Sequence, residues 1–274
     1  MSTIATTQTE APRVLVPGFE IRPLTMEHLD WVKAIMMHTN LFSNPVWSKV
    51  LAHKNRTEIA YRMFEKADYI VTHGLESGLS YGVFDANYVY KRPETSAPTG
   101  GKLYWDHSDN AATGDDLVEQ MDFPLVSVAL AYDGFNAMDP ARFGCVSYFP
   151  AFEVVLDELE KRDTRSGWKP TGPGQVVYRN ATSTRTDYAG KGLMKMQAHM
   201  LMRMAAEKGF RAIKIECYNE ILPRVWANPP PPFRGEIVSS VHTHEIKQVG
   251  EDGQEFQPLK AADQKLTRVW VDLV

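Results

Sequence analysis

Two glycines that flank a lysine stand directly before a predicted helix, and this spacing can bind an anion. They are Gly190 and Gly192, with Lys191 between them, and the helix is predicted over residues 192–208. A helix begins with backbone N–H groups that have no partner inside it, and its dipole adds positive charge there. Glycine lets an anion approach the backbone closely, and the lysine adds charge at the rim. The segment therefore predicts a phosphate site, although such a turn also occurs without a ligand.

The elements around this segment alternate between strands and helices. Short alternating or apolar runs predict strands over residues 19–23, 79–84, 125–132, 175–182, 211–218, 236–246 and 266–273. Apolar residues at helical spacing predict helices over residues 26–38, 53–67, 140–163, 192–208 and 222–226. This order is typical of a mixed α/β (α+β) fold with a largely antiparallel sheet.

The chain is expected to form a single domain over residues 19–274, after a disordered tail over residues 1–18. The tail is rich in Thr, Ser and Ala and has no apolar centre. Residues 86–124 form a long insertion between the second and third strands, rich in Pro, Gly, Thr and Asp. The piece of it around Trp105, residues 105–109, is either a lid that reaches a substrate or a polar loop anchored by the tryptophan.

Composition excludes several classes of protein. The net charge is −4 and no basic block stands out, so a nucleic-acid partner is not expected. The apolar runs are too short for a membrane span, and no membrane partner is expected. Only Cys145 and Cys217 occur, far apart, and both are expected to be small core residues in a reducing, cytoplasmic setting.

Residues 184–193 read Thr-Arg-Thr-Asp-Tyr-Ala-Gly-Lys-Gly-Leu and resemble the acyl-CoA pyrophosphate loop of the GNAT N-acetyltransferase superfamily. A Lys-Gly-Phe ending of the next helix at residues 208–210, and an asparagine after the following strand, are further similarities. The resemblance implies a GNAT-like sheet with helices on both faces and acetyl-CoA or another acyl-CoA as co-substrate, with no metal. It implies a cofactor site formed by Thr182, Ser183, Thr184, Ala189, Gly190, Lys191, Gly192, Leu193, Met194 and Asn219.

The activity implied by this resemblance is transfer of an acetyl or short acyl group from coenzyme A to an amine, most simply of a small molecule. In the family, the amine attacks directly in a ternary complex, and a backbone N–H near residues 182–184 stabilises the oxyanion. Glu216 and Tyr218 are the candidates for proton removal, because strand alternation places both on one face and Cys217 on the other. The alternatives are an ordinary paired surface carboxylate and a packed tyrosine.

Four positions depart from the family pattern. Ala189 replaces an Arg or Gln, Met194 replaces a small residue, and Trp226 stands where a tyrosine often acts as general acid. Residues 42–46 are similar to a piece of the arylalkylamine N-acetyltransferases, but Asn44 replaces its glutamate. These departures leave open a non-catalytic GNAT-fold ligand-binding protein. An acyltransferase with a hydroxyl acceptor is also open.

Two further groups of residues are candidate ligand sites. His242 and His244 share one face of a predicted strand, but no cluster of Cys or carboxylate residues completes the set nearby, so a metal site is not expected. Aromatic residues are dense in the first part of the chain, where some could line a pocket for an apolar or aromatic amine and the others form the core. They are Phe42, Trp47, Tyr81, Phe84, Tyr88, Tyr104 and Trp105.

Overall fold

The computed structural model describes residues 16–96 and 100–274. Most of the predicted tail, residues 1–15, therefore lies outside the described residues. Residues 16–18 form a turn in which the N–H of Phe19 donates to the carbonyl oxygen of Val16 at 3.1 Å. Among the helices of the two described ranges, none is long and apolar enough to cross a lipid bilayer.

The centre of the molecule is a seven-stranded sheet with the strand order β1-β2-β5-β6-β7-β11-β8. In chain order the strands are β1 (Phe19–Pro23), β2 (Tyr81–Asp85), β3 (Lys102–Leu103), β4 (Met121–Asp122), β5 (Leu125–Asp133), β6 (Val176–Thr184), β7 (Ala212–Cys217), β8 (Arg234–His242), β9 (Gln248–Val249), β10 (Glu255–Phe256) and β11 (Lys265–Asp272). Neighbours in the sheet are antiparallel except for β6 and β7, which run parallel. The predicted mixed, mostly antiparallel fold is confirmed.

Helices cover both faces of the sheet. They are α1 (Leu29–Phe42), α2 (Trp47–Val50), α3 (Arg56–Lys66), α4 (Asp68–Glu76), α5 (Pro93–Ser96), α6 (Gly114–Glu119), α7 (Phe152–Lys161), α8 (Leu193–Glu207) and α9 (Leu222–Trp226). One apolar core lies under α1 to α4 and α7, and a second lies under α8 and α9. Residues of β5 alternate between them, with Val128 in the first core and Val126 in the second.

The parallel pair β6 and β7 is joined by α8, the longest helix of the described chain. This helix starts after Gly192, which has φ +77°, and ends before Gly209, which has φ +85°. Glycine adopts such values without the penalty that a Cβ would add. Between them Met196, Met200 and Met204 pack on the sheet within the second core.

The predicted insertion is folded and forms part of the first core. Its described part contains α5, α6 and the two-stranded sheet of β3 and β4. The indole N–H of Trp105 donates to the carbonyl oxygen of Leu117 at 2.9 Å, and Leu117, Met121 and Phe123 are fully buried. Trp105 therefore anchors the insertion, and the lid interpretation is wrong for this residue.

Helix boundaries account for most differences from the sequence predictions. The helix predicted from residue 26 begins with a 3-10 turn at Met26–His28, and α4 was not predicted. The predicted helix over residues 140–163 divides into 3-10 turns at Pro140–Arg142 and Val146–Tyr148, followed by α7. The break falls at Ala151, whose φ of +57° lies outside the right-handed helical region.

We predict that Ser127→Ala destabilises the protein by about 1–3 kcal/mol, because it removes the donor to a buried amide oxygen. The hydroxyl of Ser127 on β5 donates to Oε1 of Gln197 on α8 at 2.8 Å and lies 2.7 Å from the hydroxyl of Thr184 on β6. Urea denaturation measures the change. The control Ser147→Ala removes an exposed hydroxyl, bonded only to the carbonyl oxygen of Gly144 among described residues, and should shift stability by less than ~0.5 kcal/mol. Equal losses in the two variants would contradict the prediction.

Candidate active site

The two parallel strands on either side of α8 separate before they end. β6 and β7 are paired as far as Arg179 and Ile215. Beyond this point β6 pairs only with β5, and β7 pairs only with β11. The facing edges, residues 180–184 of β6 and 216–217 of β7, therefore open as a wedge. Their backbone polar groups that face the gap have no strand partner and can bind a ligand that enters it.

A β-bulge lies at the narrow end of this wedge. Opposite β5, Ala181 pairs with Leu130 and Arg179 pairs with Ala131, so that Asn180 has no partner residue. A bulge bends its strand and increases the local twist. The extra residue therefore explains why β6 turns away from β7 at this position.

A cavity of about 270 Å³ lies where the wedge opens toward α1 and α7. Its walls come from α1, α2, α7, the segment 138–149, and strands β5, β6, β7 and β11. Four residues predicted to act at the site line this cavity: Thr182, Ser183, Glu216 and Tyr218. Cys217, which lies between the last two in sequence, is buried in the second core on the opposite face.

One side of the cavity is aromatic. The ring of Trp47 stacks on Phe149 with 4.7 Å between centroids, and the ring of Phe152 lies parallel to Tyr218 at 5.6 Å. Trp47 also contacts Tyr218, with 5.6 Å between the centroids. Offset and tilted ring pairs of this kind are favourable and rigid. The cavity therefore presents flat apolar walls to a ligand.

The other side of the cavity is charged. Oε1 of Glu216 lies 3.1 Å from Nε of Arg268 and 3.2 Å from Nζ of Lys214. Arg268 is 2% exposed and also lies 3.8 Å from carboxylate oxygens of Glu160 and Asp163. The Glu216 side chain is only 13% exposed, so it is not an ordinary surface carboxylate.

Tyr218 presents a hydroxyl that is enclosed and has no hydrogen-bond partner within the described residues. Burial, and then the charge of Glu216, raise the pKa of Tyr218 well above its ordinary value. The phenol therefore stays protonated at neutral pH, and its hydroxyl is available to form a hydrogen bond with a ligand in the cavity. Tyr178, on the same side of the sheet, has its pKa raised to about 12 by burial and by Glu216.

The predicted phosphate loop lies at the amino end of α8. Gly190 and Gly192 both have φ +77°, and a Cβ added at either would meet no atom within 4 Å. Both glycines are therefore required by the backbone conformation and not by crowding. The space in front of the first turn of α8 is open, as an anion-binding backbone requires.

Two side chains fix the start of this loop. The guanidinium of Arg185 donates to Asp187 at 3.1 and 2.6 Å and to the carbonyl oxygen of Phe123 at 3.0 Å. Burial opposes the charge of Arg185, but the contacts with Asp187 outweigh it and raise the pKa. The hydroxyl of Tyr188 donates to Oδ2 of Asp85 on β2 at 2.8 Å.

The remaining predicted cofactor residues lie in three places. The hydroxyl of Thr184 is bonded to Ser127, and Ala189, Lys191, Leu193 and Met194 surround the start of α8. Leu193 is buried in the core. Oδ1 of Asn219 accepts from the N–H groups of residues 221 and 222 at 2.9 and 2.8 Å, which caps α9.

The two histidines acquire a neighbour that the sequence did not indicate. Asp263 lies close to His242 and His244, with 3.2 Å between Nε2 of His242 and Oδ1 of Asp263. Asp263 therefore completes a group of three possible ligands that the sequence pattern did not indicate. However, Nδ1 of His242 accepts from the backbone N–H of His244 at 3.3 Å, so Nε2 carries the proton in the neutral ring. This tautomer donates to Asp263 and leaves no lone pair at Nε2 for a metal.

The aromatic residues proposed from the sequence are mostly not in the cavity. Of the seven, only Trp47 lines it. Phe84 and Trp105 are in the first core, and Tyr81 packs against the second. The aromatic wall of the cavity instead contains Phe149 and Phe152. Both reach it because the chain around the start of α7 folds over the sheet.

Sequence reasoning also missed three cations of the site, Arg179, Lys214 and Arg268. Each is a charged residue inside a predicted strand, and this was the available signal. Their proximity depends on strand register, in which Arg268 lies directly opposite Glu216. Register between strands so distant in sequence is not visible in residue spacing.

We predict that Glu216→Gln lowers stability by on the order of 3 kcal/mol, because it leaves Arg268 and Lys214 buried without their carboxylate. The matched control is Glu158→Gln on α7, since Glu158 also contacts two cations, Lys161 and Arg162, but at the surface. Surface ion pairs contribute little, and the control should lose less than about 1 kcal/mol. Chemical denaturation compares the two variants, and a larger loss for Glu158→Gln would refute the prediction.

Comparisons with known proteins identify the fold. No protein-family model and no curated protein sequence matches the chain. Among solved structures, the C-terminal condensation domain of Ebony, in complex with β-alanyl-dopamine, matches with a TM-score of 0.60 and 18% identity, over 92% of this chain and 97% of that one.

Two mosquito enzymes from Aedes aegypti are also similar in structure. Arylalkylamine N-acetyltransferase 2 matches with a TM-score of 0.54 and 11% identity, over 93% of this chain and 98% of that one. The putative arylalkylamine N-acetyltransferase 7 matches with a TM-score of 0.58 and 9% identity, over 93% and 88%. The chain therefore has the GNAT fold, and arylalkylamine N-acetyltransferases are among the structures that share it.

Proposed function

We propose that this chain is an N-acyltransferase that moves an acetyl or short acyl group from coenzyme A to the amine of a small aromatic molecule. The observation that carries the proposal is the junction of two sites at one point of the sheet. The wedge between β6 and β7 borders a cavity that contains a buried carboxylate and aromatic walls, and the edge of β6 leads from this cavity into the exposed loop at the amino end of α8.

The amino end of α8 fits the pyrophosphate of coenzyme A. Its first turn contains no acidic residue, while Lys191 and Lys195 are exposed beside it. Free N–H groups, the helix dipole and two lysines all favour an anion. Ala189 and Met194 do not oppose this role, because the contacts would come from the backbone around Gly190 and Gly192.

The wedge fits the pantetheine arm. This arm carries amide groups along an extended chain, and the edge of β6 at residues 180–184 offers unpaired backbone groups in alternation. An arm bound in this way carries its thioester toward the narrow end of the wedge. Backbone N–H groups near Thr182 would then stand beside the carbonyl oxygen.

The cavity fits a small aromatic amine. A volume of about 270 Å³ is close to the lower end for small-molecule sites, and stacked rings form one wall. Glu216 provides a negative charge for an ammonium group on the opposite side. The β-alanyl-dopamine bound to the Ebony domain is itself an aromatic amide, which supports this choice of acceptor.

The reaction requires the amine to lose a proton and the carbonyl carbon to be attacked. In our proposal Glu216 accepts the proton, because it is the more buried of the two carboxylates that line the cavity with Tyr218, the other being Glu160. The protonated hydroxyl of Tyr218 orients the amine by hydrogen bonding. Asn44 takes no proton, since its Oδ1 accepts from the N–H groups of Val46 and Trp47 at 2.9 and 3.3 Å and caps α2.

A non-catalytic GNAT-fold binding protein is the second candidate. Two observations favour it, namely the occupation of Glu216 by two cations and the burial of Trp226 at 1% exposure. Such a protein would bind coenzyme A and form no amide. Mass spectrometry of the acetyl-CoA and amine mixture separates the two candidates by the presence of product.

We predict that Gly192→Asp weakens binding of acetyl-CoA at least tenfold more than Gly192→Asn. The two side chains have the same shape and both tolerate a positive φ, so they differ in the negative charge placed before α8. Calorimetric titration measures the dissociation constants. Gly209→Asp, at the other end of α8 and also at positive φ, is the control and should bind as the unchanged protein does. Equal binding by the Asp and Asn variants would show that the amino end of α8 does not bind acetyl-CoA.

We predict that Tyr218→Phe lowers kcat about 100-fold and leaves stability unchanged. The hydroxyl has no partner among the described residues, so its removal breaks no bond of the fold, whereas loss of a hydrogen bond that orients the reacting amine can cost about 100-fold in rate. Steady-state kinetics with acetyl-CoA and an arylalkylamine test this prediction. Tyr81→Phe is the control, because Tyr81 is half-buried outside the cavity and should retain full activity. An unchanged kcat for Tyr218→Phe would exclude the hydroxyl from the reaction.

A further inference from the structure

Arg179 is a buried cation at the narrow end of the wedge. It belongs to the last residue pair that joins β6 to β7, it lines the cavity, and it is 3% exposed. Nη1 donates to the carbonyl oxygens of Leu130, at 2.8 Å, and Ala181. These two residues pair with each other beside the bulge. Nη1 therefore serves the fold by bonding two oxygens at the irregular point of the strand.

The second terminal nitrogen, Nη2, is buried and has no hydrogen-bond partner in the described chain. Nη1 of Arg268 is also without a hydrogen bond, but the two other buried arginines of the described chain each have a carboxylate partner. Arg185 is paired with Asp187, and Arg268 is paired with Glu216. Arg179 forms no ion pair within the described residues. Burial lowers the pKa of Arg179 to about 9, a value that still leaves it charged at neutral pH.

A buried charge without a counterion is unfavourable, and such a group is usually kept for a partner that arrives later. Two neighbouring polar groups are also unsatisfied within the described residues, Oγ1 of Thr182 and Nε1 of Trp226. The guanidinium carbon of Arg179 lies 5.9 Å from the centre of the Trp226 ring. The narrow end of the wedge thus combines a free cation with a free N–H donor and a free hydroxyl.

Acyl transfer from a thioester forms two anions in succession. The amine nitrogen attacks the carbonyl carbon, a C–N bond forms, and the carbonyl π electrons move to oxygen. When the carbonyl forms again, the C–S bond breaks and its electron pair leaves with sulfur as a thiolate. The ammonium group loses its first proton to solvent before attack, the proton lost on amide formation goes to Glu216, and the thiolate takes up a proton from solvent after release.

We propose that Nη2 of Arg179, together with Nε1 of Trp226, stabilises the negative charge on the leaving thiolate of coenzyme A. This inference depends on the proposed function, because the thiolate exists only if acyl-CoA is the donor. Trp226 stands where the resemblance predicts a general acid, and it cannot release a proton. A fixed positive charge stabilises the leaving thiolate without transferring a proton to it.

The first test compares donors whose leaving thiols differ in acidity. Arg179→Gln keeps an N–H donor on its side chain but has no charge. We expect kcat with acetyl-CoA to fall about 100-fold, while KM for acetyl-CoA changes by less than about threefold. With an acetyl ester of an acidic aryl thiol, the loss should shrink to less than about tenfold, because that thiolate needs less stabilisation.

The control variant is Arg211→Gln. Arg211 also donates to two backbone oxygens, those of Gly167 and Trp168 at 2.9 and 3.4 Å, but it lies outside the cavity. Its kcat should remain that of the unchanged protein with both donors. An equal loss with both donors in Arg179→Gln would overturn the proposal, because it would indicate a general disturbance of the site. A large rise in KM with kcat unchanged would also overturn it, since Arg179 would then bind the ground state.

The second test uses the unchanged protein and is independent of whether Arg179→Gln folds. The thiol of bound coenzyme A is titrated by its ultraviolet thiolate absorbance, with desulfo-coenzyme A as the blank. A nearby cation should lower the thiol pKa by at least about one unit relative to free coenzyme A. If coenzyme A binds and its thiol titrates as in solution, the proposal is wrong and the proposed function stands. If coenzyme A does not bind at all, both are wrong.

Discussion

The separation of β6 from β7 is the constraint on which the rest of the site depends. If β6 and β7 stayed hydrogen-bonded to each other along their whole length, their facing backbone groups would all be paired and the sheet would have no opening. The bulge at Asn180 ends the pairing and exposes two strand edges. The same opening brings the amino end of α8, the charged group around Glu216 and the aromatic wall around Trp47 to one place.

The charged residues of the site are compatible with burial because most of them have a partner of opposite charge within the sheet. Arg268 on β11 and Lys214 on β7 both contact Glu216, so removing one member would leave the others unbalanced. Arg179 is the exception, since its backbone contacts hold its position while its charge has no partner within the described residues. This contrast separates cations that maintain the fold from one that remains available to a ligand.

Local patterns in the sequence predicted the parts of the molecule that depend on local physics. The turn at Gly190 and Gly192, the length of α8, and the shared face of Glu216 and Tyr218 follow from glycine conformation and strand alternation. Residues of the site that come together through register or through folding of a long segment were missed. Arg268 meets Glu216 across two strands, and Phe152 reaches the cavity because the predicted helix before it is broken at Ala151.

The central claim is that coenzyme A occupies the wedge and the amino end of α8. Hydrogen–deuterium exchange, measured with and without acetyl-CoA, tests it directly, because a bound ligand protects the backbone N–H groups that it contacts. We expect slower exchange in residues 180–184 and 190–195, and unchanged exchange in the hairpin of β9 and β10. Protection confined to other segments, or none at saturating acetyl-CoA, would contradict it.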